Sequence, residues 1–303
     1  MNKSQEKTGY IPVKGGLGNQ MFFYAFGLYL NKFKISSILV WHEYVFTKQH
    51  NGIELYKAFK ITEEVNSSKK MSLFLLINRS SIPKKIKIII GKLLKFKFIS
   101  YSKYRQSSPY HFDESLLNLN SQKIFFDGFW QNYKFLEKVK EPLLKSFEFN
   151  LPRNFEQNKY LNEILSSPNS VSIHIRRGDY LKAEFSDLNV IKSMDYFNNS
   201  IAYLEENIKS PVFYIFTDDI IWAKSNFVGE KFVFVEGNDG EFSYLDMFLM
   251  TKCKHNIISN STFSFWGAWL NTNSYKIVVA PKLWTKNIES IKLCPPNWNF
   301  LEV

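Results

Sequence analysis

Two adjacent arginines stand where an apolar run ends, and they are the residues of this chain best suited to chemistry. The run SVSIHI leads directly into Arg176 and Arg177, with His174 and Asp179 close by. A guanidinium is costly to bury alone, and its fork of N–H donors fits the paired oxygens of a phosphate. We therefore expect a diphosphate to bind here, with one arginine facing it and the other bracing the site. A structural Arg–Asp ion pair at a turn is the alternative.

A glycine-rich segment, residues 14–20, follows a short apolar run and precedes a helical pattern. Gly16 and Gly18 let backbone N–H groups approach a ligand, and the start of the helix carries partial positive charge. The spacing lacks the third glycine of a dinucleotide fingerprint and the Gly-Lys-Ser/Thr ending of a P-loop. Asn19 and Gln20 favour ligand binding, whereas a structural turn is the alternative.

Paired carboxylates, Asp218 and Asp219, end another apolar run, VFYIFT. They could bind a ribose or a base, orient an arginine, hold a metal, or cap the next helix. No Asp-X-Asp triplet occurs, so the usual carboxylate signature of a metal-held nucleotide diphosphate is missing. We therefore expect neither a metal nor a cofactor, and we expect arginine and backbone donors to neutralise the diphosphate.

A fourth segment, rich in hydroxyl groups, follows the apolar run NIIS. Ser261, Thr262 and Phe263 lie where a strand is predicted to pass into an aromatic-rich helix. Hydroxyls and N–H groups at such a junction form a plausible anion-binding nest. An ordinary Ser/Thr cap on a buried helix is the alternative.

These segments lie at the ends of predicted strands and helices. Apolar residues dominate both alternating sets of the strand-like runs, which predicts buried strands with helices between several of them. Such alternation favours a mostly parallel sheet, with ligands bound beyond the carboxyl ends of its strands. The strands are predicted at 37–41, 123–130, 171–176, 212–217, 232–235, 256–259 and 275–280, and the helices at 21–33, 195–208 and 241–252.

The composition is that of a globular enzyme of 303 residues, 45% of them hydrophobic. Only two cysteines occur, which argues against a disulfide framework or a cysteine zinc site and favours a reducing cytoplasm. The first residues lack the apolar core of a secretory signal, and no run approaches the roughly 18 apolar residues of a membrane span. We expect a cytoplasmic protein.

The net charge of +11 favours anionic partners, and six lysines lie in one stretch, 82–98. This stretch could form a basic amphipathic helix on the inner face of the cytoplasmic membrane, useful if the acceptor is lipid-linked. A solvated charged helix face is the alternative. Nucleic-acid binding is a distant alternative, since none of the common nucleic-acid motifs appears.

Domain organisation is indicated by a polar segment, 150–169, which contains two prolines and is the best candidate for a linker. We predict an N-terminal, acceptor-side α/β domain over residues 1–155. A C-terminal, nucleotide-binding Rossmann-like domain is predicted over residues 156–303.

The chain resembles glycosyltransferase family 11, the bacterial and animal α-1,2-fucosyltransferases. Four segments carry the resemblance in the family's order and span nearly the whole chain: GGLGNQMFFYA, HIRRGDY, YIFTDDIIWAK and LDMFLMTKCKHNIISNSTFSFWGAWL. HIRRGDY followed by ISNSTFSFWGAWL at this separation is specific, whereas the glycines or Asp-Asp alone are weak. Phe265 departs from the family's pattern, because relatives often carry tryptophan at this position. The difference affects packing more than chemistry.

The resemblance implies two Rossmann-like domains in a GT-B-like arrangement facing a cleft. It implies metal-independent, inverting transfer of fucose from GDP-fucose to the 2-hydroxyl of a terminal galactose in an oligosaccharide such as an O-antigen. A fucosyltransferase of another linkage, or a transferase of another nucleotide sugar, is the alternative.

The resemblance also implies roles for particular residues. Arg176 contacts the donor diphosphate with His174 and Asp179 nearby, the loop at 261–263 closes over the phosphates, and Asn19 faces the donor from the other domain. The catalytic base stays open among Asp179, Asp218 and an N-terminal residue. Aromatic residues at 41–50 and 128–133 are weak candidates for contacts to the acceptor sugar.

Overall fold

The computed structural model describes residues 7–41, 51–61, 83, 85–86, 89 and 102–303. The chain divides into two compact units between Glu148 and Phe149. The basic stretch 82–98 and the aromatic segment 42–50 lie largely outside the described residues. In the described part, no helix is long and apolar enough to cross a membrane.

The N-terminal unit is built on a four-stranded sheet in the order β2-β1-β4-β3, and its strands are all parallel. Its long helix α1 is buried over most of its circumference, and the Phe26 ring stacks on Trp130 with 3.7 Å between the centroids. The described elements are β1 (Lys7–Pro12), α1 (Leu17–Lys32), β2 (Ile35–Val40), α2 (Leu55–Ala58), β3 (Ser102–Arg105), β4 (Lys123–Asp127), α3 (Tyr133–Lys138) and α4 (Lys140–Ser146).

The C-terminal unit is built on a six-stranded sheet in the order β12-β9-β8-β5-β6-β7, again all parallel. A short antiparallel pair, β10 and β11, lies apart from it. Its elements are α5 (Lys159–Ser166), β5 (Ser170–Ile175), α6 (Asp195–Asn207), β6 (Val212–Thr217), α7 (Ile220–Asn226), β7 (Phe232–Phe234), α8 (Tyr244–Lys252), β8 (His255–Ile257), α9 (Thr262–Trp269), β9 (Val278–Pro281), β10 (Leu283–Thr285), β11 (Ile288–Glu289) and β12 (Asn299–Leu301).

The centre of this second sheet is buried on both faces. Every residue of β5 is buried, and Val171, Ile173 and Ile175 pack into one cluster with side chains from β6 and α6. Burial on both faces is expected of a central strand in a parallel sheet, whose faces are covered by helices. The continuous apolar runs therefore predicted the central strands to within a few residues.

Two expectations about elements are wrong. The segment 150–169 is not a linker between the two units, because it belongs to the second unit and contains helix α5, one face of which Tyr160, Leu161 and Ile164 bury. Strand β4 ends at Asp127 and not at Trp130, whose φ of 59° is incompatible with a strand.

Candidate active site

The carboxyl ends of three neighbouring strands bring most of the predicted site residues together. Strand β5 lies between β6 and β8, with Ile175 paired to Thr217 and Ile173 paired to Ile257. In a parallel sheet these ends share one edge, so the residues that follow β5, β6 and β8 converge there. Arg176 thereby contacts Asp218, and His174 contacts Ser259, although both pairs are far apart in the sequence.

Arg176 is held between two carboxylates. Its Nη2 lies 2.9 Å from Asp179 Oδ1, and its Nη1 lies 2.9 Å from Asp218 Oδ2. Burial by itself would lower the pKa of the guanidinium, but the charges of Asp218 and Asp179 outweigh burial and raise the pKa. Arg176 is therefore a fixed positive charge, and about a third of its side chain is exposed.

Arg177 points to a different partner. Its Nε donates to Asp219 Oδ2 at 3.2 Å, and its guanidinium lies over the Trp222 ring, 4.1 Å from the centroid. Asp219 also caps helix α7, since its Oδ1 accepts from the Trp222 N–H. Arg177 and Asp219 thus tie the loop after β5 to the start of α7, which is a bracing role.

Asp218 fixes the backbone of the loop that carries the arginines. Its Oδ1 accepts from the Arg177 N–H at 2.9 Å and its Oδ2 from the Gly178 N–H at 3.2 Å. A Cβ at position 178 would lie 3.0 Å from Asp218 Oδ2, so glycine allows this close approach. Asp218 therefore holds both the loop and the Arg176 side chain.

His174 is buried behind the arginines and is neutral. Its Nδ1 lies 2.8 Å from Ser259 Oγ, and its ring packs against Phe263 with 5.7 Å between centroids. Burial, and then the nearby charge of Arg176, lower the pKa of His174 to about 3. At neutral pH the imidazole can exchange hydrogen bonds with a ligand but cannot supply positive charge.

The hydroxyl-rich segment opens helix α9. Ser261 Oγ accepts from the Phe263 N–H at 3.3 Å, and Ser264 Oγ donates to the carbonyl oxygens of Ser259 and Ser261. Asn260 is buried and donates to the carbonyl oxygens of Leu188 and Trp284. The helix-cap alternative is thus observed, and Phe263 in the first turn of α9 packs against His174, while donor binding by Ser261 and Thr262 stays a prediction.

Electrostatically, the edge of the sheet is balanced and not strongly basic. Asp179, Asp218 and Asp219 offset the two guanidiniums, so part of the Arg176 guanidinium is already bound to carboxylates when an anion arrives. In the described part of the chain, no three His, Cys, Asp or Glu side chains cluster to hold a metal ion. The expectation of metal-independent chemistry stays a prediction.

The glycine-rich segment lies in the N-terminal unit, where its polar groups are largely engaged. Gln20 is fully buried, donates to the carbonyl oxygen of Gly52 at 2.8 Å, and accepts from the N–H groups of Glu54 and Leu55. A direct contact with a donor would require Gln20 to break these bonds. We therefore assign Gln20 to positioning.

Two residues that the sequence did not single out complete this loop. Glu54 accepts from the Leu17 N–H at 3.2 Å, so a carboxylate of the protein already occupies the start of α1. Gln131 donates from Nε2 to Asn19 Oδ1 at 2.8 Å. No motif surrounds Glu54 or Gln131 in the sequence, and only the fold brings them to the loop. Whether Gly16, Gly18 and Asn19 meet a donor stays a prediction.

Comparison with known proteins gives matches over almost the whole chain. A family model described as glycosyl transferase family 11 matches residues 8–302. An Escherichia coli α-1,2-colitosyltransferase is 35% identical, covering 96% of this chain and 97% of the relative. The E. coli O-antigen biosynthesis glycosyltransferase WbnK is 33% identical, with 95% and 99% covered. A galactoside α-(1,2)-fucosyltransferase 1 from Leontopithecus chrysomelas is 24% identical over 52% of this chain and 46% of the relative.

Solved structures are similar in fold. The fucosyltransferase NodZ from Bradyrhizobium has a TM-score of 0.51 at 13% identity, covering 87% of this chain and 92% of that one. NodZ α-1,6-fucosyltransferase soaked with GDP-fucose has a TM-score of 0.50, also at 13% identity, with 86% and 91% covered. At this identity the similarity concerns the fold alone, and the predicted α/β, GT-B-like fold class is confirmed.

Proposed function

The chain belongs to glycosyltransferase family 11, and from that membership we propose that it transfers a 6-deoxyhexose from a GDP-sugar to the 2-hydroxyl of a galactose. The observation that carries the proposal is the similarity over almost the full length to an α-1,2-colitosyltransferase, together with a weaker similarity to galactoside α-1,2-fucosyltransferases. An O-antigen or a related glycan is the proposed acceptor, since WbnK is named for O-antigen biosynthesis.

Two donors are consistent with these relatives. We favour GDP-fucose, as the family resemblance implies, and GDP-colitose is the second candidate because of the colitosyltransferase at 35% identity. Colitose is fucose without its 3-hydroxyl. A site that hydrogen-bonds this hydroxyl discriminates strongly against the analogue that lacks it, because the polar groups of the site are then left unpaired.

In the proposed mechanism Arg176 stabilises the leaving group. The galactose 2-hydroxyl oxygen bonds to C1 of the sugar as the bond from C1 to GDP breaks, and the electron pair leaves with GDP. Negative charge therefore grows on the diphosphate, where a fixed guanidinium is most effective. The raised pKa of Arg176 keeps it charged, and the neutral His174 offers a hydrogen bond nearby.

The proton of the acceptor hydroxyl must pass to a base, and we propose Asp179 for this role. Asp218 is engaged by two backbone N–H groups as well as by Arg176, so releasing it would disturb the whole loop. Asp179 is bound through its side chain to Arg176. A diphosphate that takes over the Arg176 donor would free Asp179 to accept a proton.

The decisive experiment is a donor and acceptor assay. Purified protein would be given GDP-fucose or GDP-colitose with a panel of β-galactosides, and the linkage of the product would be determined by NMR. We expect transfer to O2, with GDP-fucose the better donor and with turnover unchanged in EDTA. The proposal is wrong if neither donor releases GDP or if the new bond is not at O2; turnover lost in EDTA would overturn metal independence alone.

A further inference from the structure

The loop after β5 is fixed to the rest of the second unit on both sides of Asp179. Before Asp179, two backbone N–H groups of the loop donate to the carboxylate of Asp218. After it, the hydroxyl of Tyr180 donates to the backbone carbonyl oxygen of Asn260 at 3.1 Å. Tyr180 is also among the groups whose electrostatic influence reaches the Arg176 guanidinium. Both anchors therefore lie at the candidate site itself.

Asn260 is a rigid point of attachment for the Tyr180 hydroxyl. The residue is 2% exposed. Its Nδ2 donates to the carbonyl oxygens of Leu188 and Trp284, at 2.7 and 2.9 Å. A buried residue whose side chain is bonded in this way cannot follow the movements of a surface loop, so a hydrogen bond to its carbonyl oxygen fixes Tyr180.

The chain that follows Tyr180 is largely exposed and bonds to itself. In the described part of the chain, the hydrogen-bonded N–H groups of residues 181–186 all bond to carbonyl oxygens of the same loop. The next hydrogen bonds to another part of the unit come at Asp187 and Leu188. Exposed segments with few tertiary contacts open locally at low free energy. The Tyr180 bond is therefore the nearest anchor to Asp179 on this side.

The carboxylate of Asp179 depends on this backbone for its orientation. Its Oδ1 is buried and lies 2.9 Å from Arg176 Nη2, yet among the described residues no well-aligned hydrogen bond reaches it. Charge attraction depends on distance, whereas a hydrogen bond also depends on angle. The ion pair alone therefore leaves the direction of the carboxylate open, and the loop that carries Asp179 sets it.

We propose that Tyr180 is a positioning residue for Asp179, an inference that rests on the proposed role of Asp179 as the base. By tying the loop to Asn260, the Tyr180 hydroxyl keeps the carboxylate where it can reach the acceptor hydroxyl. A base must come within about 3 Å of the oxygen whose proton it accepts, and small displacements from that geometry cost much of the rate. Tyr180 acts through Asp179 and not on either substrate.

The test is a double-mutant cycle on kcat, measured as GDP release at saturating donor and acceptor. Tyr180→Phe removes only the hydroxyl. It should lower kcat about tenfold, while GDP affinity, measured by calorimetry, stays near that of wild type. Asp179→Asn should lower kcat on the order of a hundredfold or more. Adding Tyr180→Phe to Asp179→Asn should then cost less than about twofold, because the carboxylate to be positioned is gone.

Tyr203→Phe is the matched control. The half-buried Tyr203 also donates a hydrogen bond within the second unit, to Asn299 Oδ1 at 3.0 Å. The control should lower the free energy of unfolding about as much as Tyr180→Phe does and leave kcat unchanged. If Tyr180→Phe also leaves kcat unchanged, Tyr180 serves stability alone and the inference is wrong.

Further outcomes distinguish this inference from the proposed function. If Tyr180→Phe lowers kcat by the same factor with and without Asp179→Asn, or weakens GDP binding, Tyr180 does not act through Asp179. The inference is then wrong while the proposed function stands. If Asp179→Asn keeps near-normal turnover, Asp179 is not the base, and the inference fails with that assignment. If wild type transfers no sugar from either donor, the proposed function itself fails, and the inference with it.

Discussion

Arg176 owes its orientation to carboxylates that follow different strands and loops. Asp218 holds one end of its guanidinium and the loop backbone together, and Asp179 holds the other end. The five N–H donors of an arginine are not exhausted by two carboxylates. The side chain is therefore oriented before a ligand arrives, which is the condition under which a charge contributes most to a transition state.

The first prediction tests whether the planar geometry of the Arg176 guanidinium matters in addition to its charge. Arg176→Lys keeps a positive charge but loses the planar fork that spans two acceptors. We expect kcat to fall on the order of a hundredfold or more, measured as GDP release at saturating donor and acceptor. Arg177→Lys is the matched control and should lose far less, because Arg177 faces Asp219 and Trp222. Near-normal turnover of Arg176→Lys would contradict the assignment.

The lowered pKa of His174 predicts how the stability of the folded protein depends on pH. Its pKa is about 3 in the folded protein and near 6.5 when unfolded, so the unfolded chain binds a proton that the native state excludes. The stability of wild type should therefore fall relative to His174→Gln as pH drops below about 6.5, by roughly 3 kcal/mol at pH 4. Urea titrations at several pH values would measure this, and parallel curves for the two proteins would contradict a buried neutral His174.

At the residue scale, the sequence predicted which side chains gather at the site but not how they pair. The run SVSIHI followed by RRGD indicated a strand end with charged residues, and the structure has Arg176 and Arg177 directly after β5. The ion pair of Arg176 with Asp179 is the local Arg–Asp pair that the sequence offered as the alternative, whereas Asp218 and Asp219 follow another strand and only the sheet brings them to the arginines.

At the scale of elements, the glycine loop and α2 form one hydrogen-bonded unit. Gln20 on α1 bonds to Gly52 and to the N–H groups that open α2, while Glu54 returns a bond to the N–H of Leu17. One N–H at the start of α1, that of Leu17, is thereby bonded to a protein carboxylate, which offsets part of the positive charge there. The loop is better described as a rigid support for Asn19, whose side chain accepts from Gln131.

At the scale of elements, we predict that Gln20 stabilises the folded N-terminal unit and does not contact the donor. Gln20→Ala would leave buried N–H and carbonyl groups without partners, and the free energy of unfolding should fall by about 2–4 kcal/mol. Gln122→Ala, at an exposed glutamine of the same unit, should change it by less than about 0.5 kcal/mol. GDP affinity, measured at a temperature where the variant is folded, should stay near that of wild type. A large loss of GDP affinity in the folded variant would instead indicate that Gln20 contacts the donor directly.

The bounds of helices and strands were predictable where burial is uniform along the element. They were not predictable where the backbone conformation of a single residue ends the element. Central strands such as β5 and β6 are almost wholly buried, and their bounds agree with the prediction within a few residues. The end of β4 depends on the positive φ of Trp130, which no propensity specifies for tryptophan. Helix α5 was hidden in a polar segment because only three of its eight residues are buried.

At the scale of the whole molecule, the positive charge is unevenly distributed. The candidate site offsets its two arginines with three aspartates, so the net charge of +11 is not explained by donor binding there. Six lysines lie within the stretch 82–98. That stretch interleaves lysines with apolar residues, so binding to an anionic membrane surface stays a prediction, with a solvated helix face as the alternative.

The last prediction tests membrane binding with the whole 303-residue chain. Wild type should sediment with liposomes that contain anionic lipid, and a variant with Lys84, Lys85 and Lys87 changed to glutamine should sediment less, because each lysine near the surface contributes about 1 kcal/mol. A second triple variant, with Lys140, Lys145 and Lys159 changed to glutamine, carries the same net charge and serves as the control. If both variants lose binding equally, the attraction is a property of net charge alone. If neither does, residues 82–98 form a solvated face with no role at the membrane.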